Sequence, residues 1–178
     1  MKWLLAIAAC ISIATASDDS PRRLAQELPL VTFDRKAIDI RSLSDTQPLI
    51  VLRYLGASCS HCIDQLLALR VSSERIRRAG LHVIAMSHDD PHICATAMQR
   101  LALDTTWITL CSDNDNRTAT ALGCVIDELD KTTTNLHMVM VVYKRQVLYE
   151  HYSLVPLMVF DHVIRVADSA RHRESLTR

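Results

Sequence analysis

The clearest pattern in the chain is a nearly continuous apolar run, Leu49-Ile50-Val51-Leu52-Arg53-Tyr54-Leu55, introduced by Pro48 and closed by Gly56-Ala57-Ser58. A run of this length without alternation predicts a central strand buried on both faces. From Cys59 to Arg78 the apolar residues Cys62, Leu66, Leu69 and Ile76 recur at helical spacing, with Gly80 at the stop. They predict one helix. Leu81–Met86 reads as a second strand. Asp89-Asp90-Pro91 is an exposed turn that starts a short helix to about Leu101, and Trp107–Leu110 is a third strand. Asp113–Asn116 is a polar turn before a short helix, Arg117–Leu122, which ends at Gly123. Met138–Tyr143 and Val147–Tyr152 flank Lys144-Arg145-Gln146 as a hairpin, and Pro156 opens a last helix to about Ala170. Strands separated by helices predict an α/β fold. Its central sheet is mixed but mostly parallel, with helices on both faces and a carboxy-terminal β-hairpin followed by a helix.

Composition narrows the class. Of 178 residues, 49% are apolar and 4% aromatic, so a sizeable and mainly aliphatic core is expected. Lys+Arg and Asp+Glu both number 20, which gives no electrostatic footprint for nucleic acid. The tail Arg171-His172-Arg173-Glu174 reads as a solvated end.

The amino terminus reads as a targeting segment. Lys2 supplies the positive charge, Trp3–Ile13 is apolar apart from Ser12, and Ala14-Thr15-Ala16 is a small-x-small cleavage site. The apolar run is shorter than the ~20 residues a membrane-spanning helix needs. The expectation is a signal peptide at 1–16, a flexible lead-in at 17–29 and a domain at 30–178, with the protein exported to a periplasmic or extracellular space. Ile7-Ala8-Ala9-Cys10 resembles a lipobox, and lipid anchoring through Cys10 is the alternative. Removing 1–16 takes one of six cysteines and leaves an odd number in a compartment that favours oxidation.

The sharpest chemical signal is Cys59-Ser60-His61-Cys62. It follows the buried strand and opens a helix. Two sulfurs three residues apart on a first helical turn can approach bonding distance. Unpaired N–H groups and the partial positive charge of the helix end stabilise a thiolate there, lowering thiol pKa values to about 3.5–7.5. Cys59, nearest the helix end and solvent, is the expected nucleophile. Cys62, one turn further and facing inward, is the expected resolving thiol. His61, if charged, would favour the thiolate further. A CxxC also serves as half of a zinc site, but no second cluster completes one, and His88 and His92 bracket an expected exposed turn. A structural disulfide is a further alternative.

The stretch Tyr54-Leu55-Gly56-Ala57-Ser58-Cys59-Ser60-His61-Cys62-Ile63-Asp64-Gln65-Leu66 resembles the active-site segment of the thioredoxin-like redoxins, a superfamily that includes the AhpC/TSA peroxiredoxin-like proteins and the periplasmic thiol–disulfide proteins. Asp34–Asp45, Leu122-Gly123-Cys124 and Met140–Val147 are similar to further parts of the pattern, so the resemblance spans about Glu27 to Ala170. It implies a thioredoxin fold with Cys59 and Cys62 as redox pair. It also implies protein thiols, disulfides or a thioredoxin-type reductant as partners, and no cofactor. His137 stands where thioredoxins carry a cis-proline and peroxiredoxins an arginine, and Ser58 where a tryptophan precedes the first cysteine. The peroxiredoxin Pro-x-x-x-Thr/Ser-x-x-Cys is not matched, since Leu52 and Gly56 occupy its first two places before Cys59.

Several functions therefore compete: an exported thiol–disulfide oxidoreductase, a peroxiredoxin-like thiol peroxidase, a SCO-type copper chaperone using Cys59, Cys62 and His137, and a redox-inactive binding module. Met138 and Met140 near His137 suit copper chemistry. Arg53, inside an apolar strand, is expected either to reach water at the strand end or to lie near the dithiol and favour its thiolate. Cys94, Cys111 and Cys124 have no spacing signature and read as small buried hydrophobes, with a disulfide or an extra resolving thiol as alternatives. Asn116-Arg117-Thr118 matches a glycosylation sequon.

Overall fold

The computed structural model describes residues 22–127 and 132–175. The expected signal segment, with Cys10 and its cleavage site, lies outside the described residues, as does the lead-in up to residue 21. Between Arg22 and Leu28 the chain is pinned to the domain rather than running free. Leu24 N–H donates to the Arg145 carbonyl and Val147 N–H to that of Arg22, both at 2.7 Å. Leu24 and Leu28 are buried.

The chain then forms β1 (Pro29–Thr32), β2 (Ala37–Asp39), α1 (Ile40–Leu43), β3 (Leu49–Arg53), α2 (Ser60–Val71), α3 (Ser73–Arg78), β4 (His82–Ser87), α4 (Pro91–Arg100), β5 (Ile108–Ser112), α5 (Arg117–Ala121), β6 (Val125–Asp127), β7 (Thr133–Asn135), β8 (His137–Tyr143), β9 (Gln146–Ser153) and α6 (Asp161–Ser175). Seven strands make one sheet in the order β2-β1-β5-β4-β3-β8-β9, and β6 and β7 form a separate small hairpin. The sheet is mixed, as expected. Parallel pairing is confined to β3-β4-β5, however, and every other pair in the sheet is antiparallel. The outer pairs β1-β2 and β8-β9 are hairpins, in which a tight turn returns the chain antiparallel, and each hairpin also meets the parallel strands antiparallel, at β1-β5 and β3-β8.

Alternation along β3 divides the interior into two cores. Ile50, Leu52 and Tyr54 face one side with Cys62, Leu66 and Leu69 of α2, Ile76 of α3, Cys94 and Met98 of α4, and Val163, Ile164 and Ala167 of α6. Leu49 and Val51 face the other with Ile40 of α1, Ala119 of α5, Met138, Met140 and Cys111. Each of the leucine, isoleucine, valine and methionine side chains among them contributes about 1.5–3 kcal/mol by leaving water.

Three element expectations are corrected. The helix foreseen over 59–78 breaks at Ser72 into α2 and α3; Ser72 N–H bonds the Leu69 carbonyl, which tightens the turn there. The last helix starts at Asp161 rather than Pro156. Leu154, Val155, Met158 and Val159 are exposed on an irregular loop instead, held where Gln65 Nε2 donates to the Leu157 carbonyl at 3.1 Å. Two short hairpins, β1-β2 and β6-β7, and the one-turn helix α1 add to the expected elements. Asp39 caps α1 by accepting from the N–H groups of Arg41 and Ser42.

Candidate active site

After β3 the backbone continues in register for one residue, with Tyr54 N–H bonding the Met86 carbonyl at 3.0 Å. It then turns through Leu55-Gly56-Ala57-Ser58. Gly56 has φ +128°, a conformation L side chains rarely adopt, and a Cβ there would meet Asp89 Oδ1 at 3.1 Å and His88 Cε1 at 3.2 Å. Cys59 is the N-cap residue of α2, in extended conformation, and no side-chain oxygen caps the helix. The first turn of α2 therefore has no side-chain acceptor at its N-cap.

Cys59 is half-exposed and Cys62 is buried, and both are free thiols. The neighbouring Cys62 thiol, and then the nearby backbone N–H groups of Cys62 and His61, favour the Cys59 thiolate and hold its pKa below the ordinary thiol value, against opposing effects of burial and Asp64. Burial and then the adjoining Cys59 sulfur push Cys62 up to about 12. Leu55 N–H, 3.3 Å from Cys62 Sγ, works the other way. One thiol is thus poised to ionise and the other to keep its proton.

The supporting residues separate. Ser58 and His61 are exposed at the mouth. His137 is buried at the start of β8, paired with Ser153. The register Arg53↔Met138 sets it level with Tyr54. Its Nδ1 has no hydrogen-bond partner. Burial first, then Arg53 and His61, lower its pKa, so it is a neutral imidazole at pH 7. Arg53 does not reach water: it is 1% exposed. Its Nη2 donates to Asn135 Oδ1 at 2.9 Å and Asn116 Oδ1 at 3.2 Å on the face opposite α2, and its Nε and Nη1 are unpartnered. It lies within electrostatic reach of Cys124, Asp113 and Cys62.

Sequence reasoning missed Asp89. It was expected in an exposed turn, but it is 8% exposed. Its Oδ2 accepts from Ala57 N–H at 2.7 Å and from Ser87 Oγ at 3.0 Å. It therefore anchors the turn that carries Cys59. The available signal was its place immediately after buried β4, beside the end of β3. Cys94, Cys111 and Cys124 are buried free thiols, as the small-hydrophobe reading requires. Burial raises Cys94 to about 11 and Cys124 to about 12, and raises Cys111 strongly. In the sequon, Thr118 is fully buried with Oγ donating to the Pro29 carbonyl, and Asn116 Oδ1 accepts from Arg53. Among the described residues no three His, Cys, Asp or Glu side chains gather as a metal site. Cys59, Cys62 and His137 therefore do not form a three-ligand copper set, and His88 and His92 complete no zinc site.

A strand, a tight turn and a helix opening on an asymmetric dithiol define a thioredoxin-like thiol redox protein. The AhpC/TSA family model matches residues 22–151, and the chain belongs to this family of thiol-dependent redox enzymes. No curated protein matches it in sequence. Among solved structures it is similar to peroxidoxin BcpB from Mycobacterium tuberculosis, with a TM-score of 0.71, 16% identity, and coverage of 85% of this chain and 96% of that one. Peroxiredoxin Q of Xanthomonas campestris gives 0.70 and 16%, covering 80% and 90%. Thiol peroxidase from Chromobacterium violaceum gives 0.65 and 17%, covering 88% and 87%. At these identities the likeness shows the shared fold.

Proposed function

We propose that the protein is an exported thiol–disulfide oxidoreductase working through Cys59 and Cys62. The observation that carries this reading is the asymmetry of the pair: a half-exposed thiol of lowered pKa at a helix start, backed by a buried thiol held protonated. The Cys59 thiolate attacks a partner disulfide R–S–S–R′, forming the mixed disulfide Cys59–S–S–R and releasing R′–S⁻. The negative charge on Cys59 is then gone, and with it part of what kept Cys62 protonated. Cys62 loses its proton and attacks Cys59 Sγ, closing the Cys59–Cys62 disulfide and releasing R–S⁻. The reverse sequence oxidises a partner dithiol. No cofactor enters either direction. Export is supported by the Lys2, Trp3–Ile13 and Ala14-Thr15-Ala16 pattern, with lipid anchoring at Cys10 as the variant route.

The test is insulin reduction by dithiothreitol. Wild type is expected to accelerate it, Cys59→Ser to abolish the acceleration, and Cys62→Ser to accumulate mixed disulfide. Undiminished activity of Cys59→Ser would remove Cys59 as nucleophile. The names of the structural neighbours favour a second reading, a thiol peroxidase. In that chemistry Cys59 thiolate attacks a hydroperoxide to give the sulfenic acid and an alcohol. Cys62 then displaces water to form the same disulfide. Peroxide consumption coupled to a thioredoxin-type reductant distinguishes the two.

A further inference from the structure

Beside the dithiol lies a groove of about 360 Å³ between the start of α2 and the length of α4. Its floor is apolar, built from Ile63, Ile93, Ala97 and Leu101, and its near end is Ala57 and Ser58, next to Cys59. Charge is placed at the two ends of α4. Asp89, more than nine-tenths buried, lines the near end. Its Oδ2 is used by Ala57 and Ser87, while its Oδ1 receives no hydrogen bond among the described residues. Arg100, the last residue of α4, lines the groove at its far end and is exposed, with no hydrogen bond or ion pair among the described residues. The ten residues of α4 separate these ends by about 15 Å. An extended chain, at about 3.3 Å per residue, covers that distance in four or five residues.

We propose that this groove docks the polypeptide that exchanges with the dithiol. It selects a segment with apolar residues next to the reactive cysteine and an acidic residue about four positions away. The proposal rests on the thiol-exchange reading above and names its partner. Asp89 Oδ1 accepts a backbone N–H near the cysteine, the apolar floor takes the intervening side chains, and Arg100 pairs with the acid. Charge complementarity decides the occupant. A plain alkyl chain offers no donor to the buried carboxylate, whereas a peptide backbone offers one at every residue except proline.

The probe is a labelled nonapeptide with serine at its centre in place of cysteine. On each side it carries leucine, valine and alanine, and then glutamate; a control has lysine at both ends. Serine removes thiol chemistry, so binding to the full protein by fluorescence anisotropy is read independently of exchange. The glutamate peptide is expected to bind at least tenfold more tightly than the lysine peptide, and Arg100→Glu to invert that preference. Ile93→Glu is expected to weaken both peptides at least tenfold. Equal binding of the two peptides overturns the proposal, as does a preference that Arg100→Glu leaves unchanged. It is also overturned if laurate binds in the groove and the peptides do not, or if the groove is closed by self-association that Arg100→Glu disrupts. Failure of insulin reduction with the binding preference intact would instead count against the exchange reading alone.

Discussion

At the scale of single residues, the site depends on what each sulfur is bonded to. The neighbouring Cys62 thiol and the nearby backbone N–H groups of Cys62 and His61 lower the Cys59 pKa. Its alkylation by iodoacetamide should therefore reach half-maximal rate at a lower pH than that of an ordinary thiol. Part of the rise at Cys62 comes from Cys59 itself. In Cys59→Ala the Cys62 pKa should fall from about 12 yet stay above the ordinary value, because burial persists. Thiolate absorbance against pH reads both, and a Cys62 titration unchanged by Cys59→Ala would show that the two sulfurs do not communicate. Gly56 is a second sensitive position. It combines φ +128° with only 3.1 Å of clearance to Asp89 Oδ1. Gly56→Ala should cost about 1–3 kcal/mol and slow exchange by displacing the turn that presents Cys59. Urea unfolding and the insulin assay check the two effects.

At the scale of elements, what the sequence reveals depends on how long a pattern persists. β3 is five buried residues in a row, and α2 repeats its apolar positions over three turns, so both can be read without coordinates. The dithiol inherits its placement from them. β2, β6 and β7 have three residues each, too few for alternation to stand out. Ser72 interrupts a helical pattern with neither glycine nor proline to announce it. Pro156 mimics a helix start, but Leu157-Met158-Val159 after it supply no polar face. Arg53 shows the same limit in three dimensions. Its position in β3 is evident from sequence, yet its partners come from Asn116 at the start of α5 and Asn135 at the end of β7, segments distant along the chain. The structure makes Arg53 the bond that ties both to the sheet. Arg53→Met removes that tie and also relieves two unpartnered buried donors, so global stability should stay within about 1 kcal/mol of wild type. Locally, the amides of Thr120 and Leu136, bonded to Asn116 and Cys124 carbonyls, should lose about tenfold in exchange protection, which corresponds to about 1.4 kcal/mol. Hydrogen exchange of these amides decides the matter, and unchanged protection would mean that the guanidinium is not structural.

At the scale of the whole molecule, the packing that builds two apolar cores also sequesters four thiols in their protonated form. Burial is the first cause of the raised pKa at Cys62, Cys94, Cys111 and Cys124, with Cys94 at about 11 and Cys62 and Cys124 at about 12. In the unfolded chain these thiols lose their protons near pH 8.5. Their contribution is fully present below that pH. Above it the folded state holds more protons than the unfolded state, and stability falls as pH rises toward the folded values. Each such thiol adds a slope of about 1.4 kcal/mol per pH unit. Four together are comparable, within two units, to the 5–15 kcal/mol that typically separates folded from unfolded. Cys59 acts in the opposite direction, but it is half-exposed and cannot offset them. The protein should therefore lose its urea resistance steeply between pH 9 and 10.5. Cys111→Ala isolates one contribution. Loss of its buried sulfur costs about 1 kcal/mol near pH 7, and loss of its titration spares about 1.4 kcal/mol for each pH unit above 8.5. The stability curves of the variant and wild type should cross at about pH 9.2. Parallel curves over that range would mean that Cys111 exchanges its proton with solvent in the native fold, and that this core is more open than its packing implies.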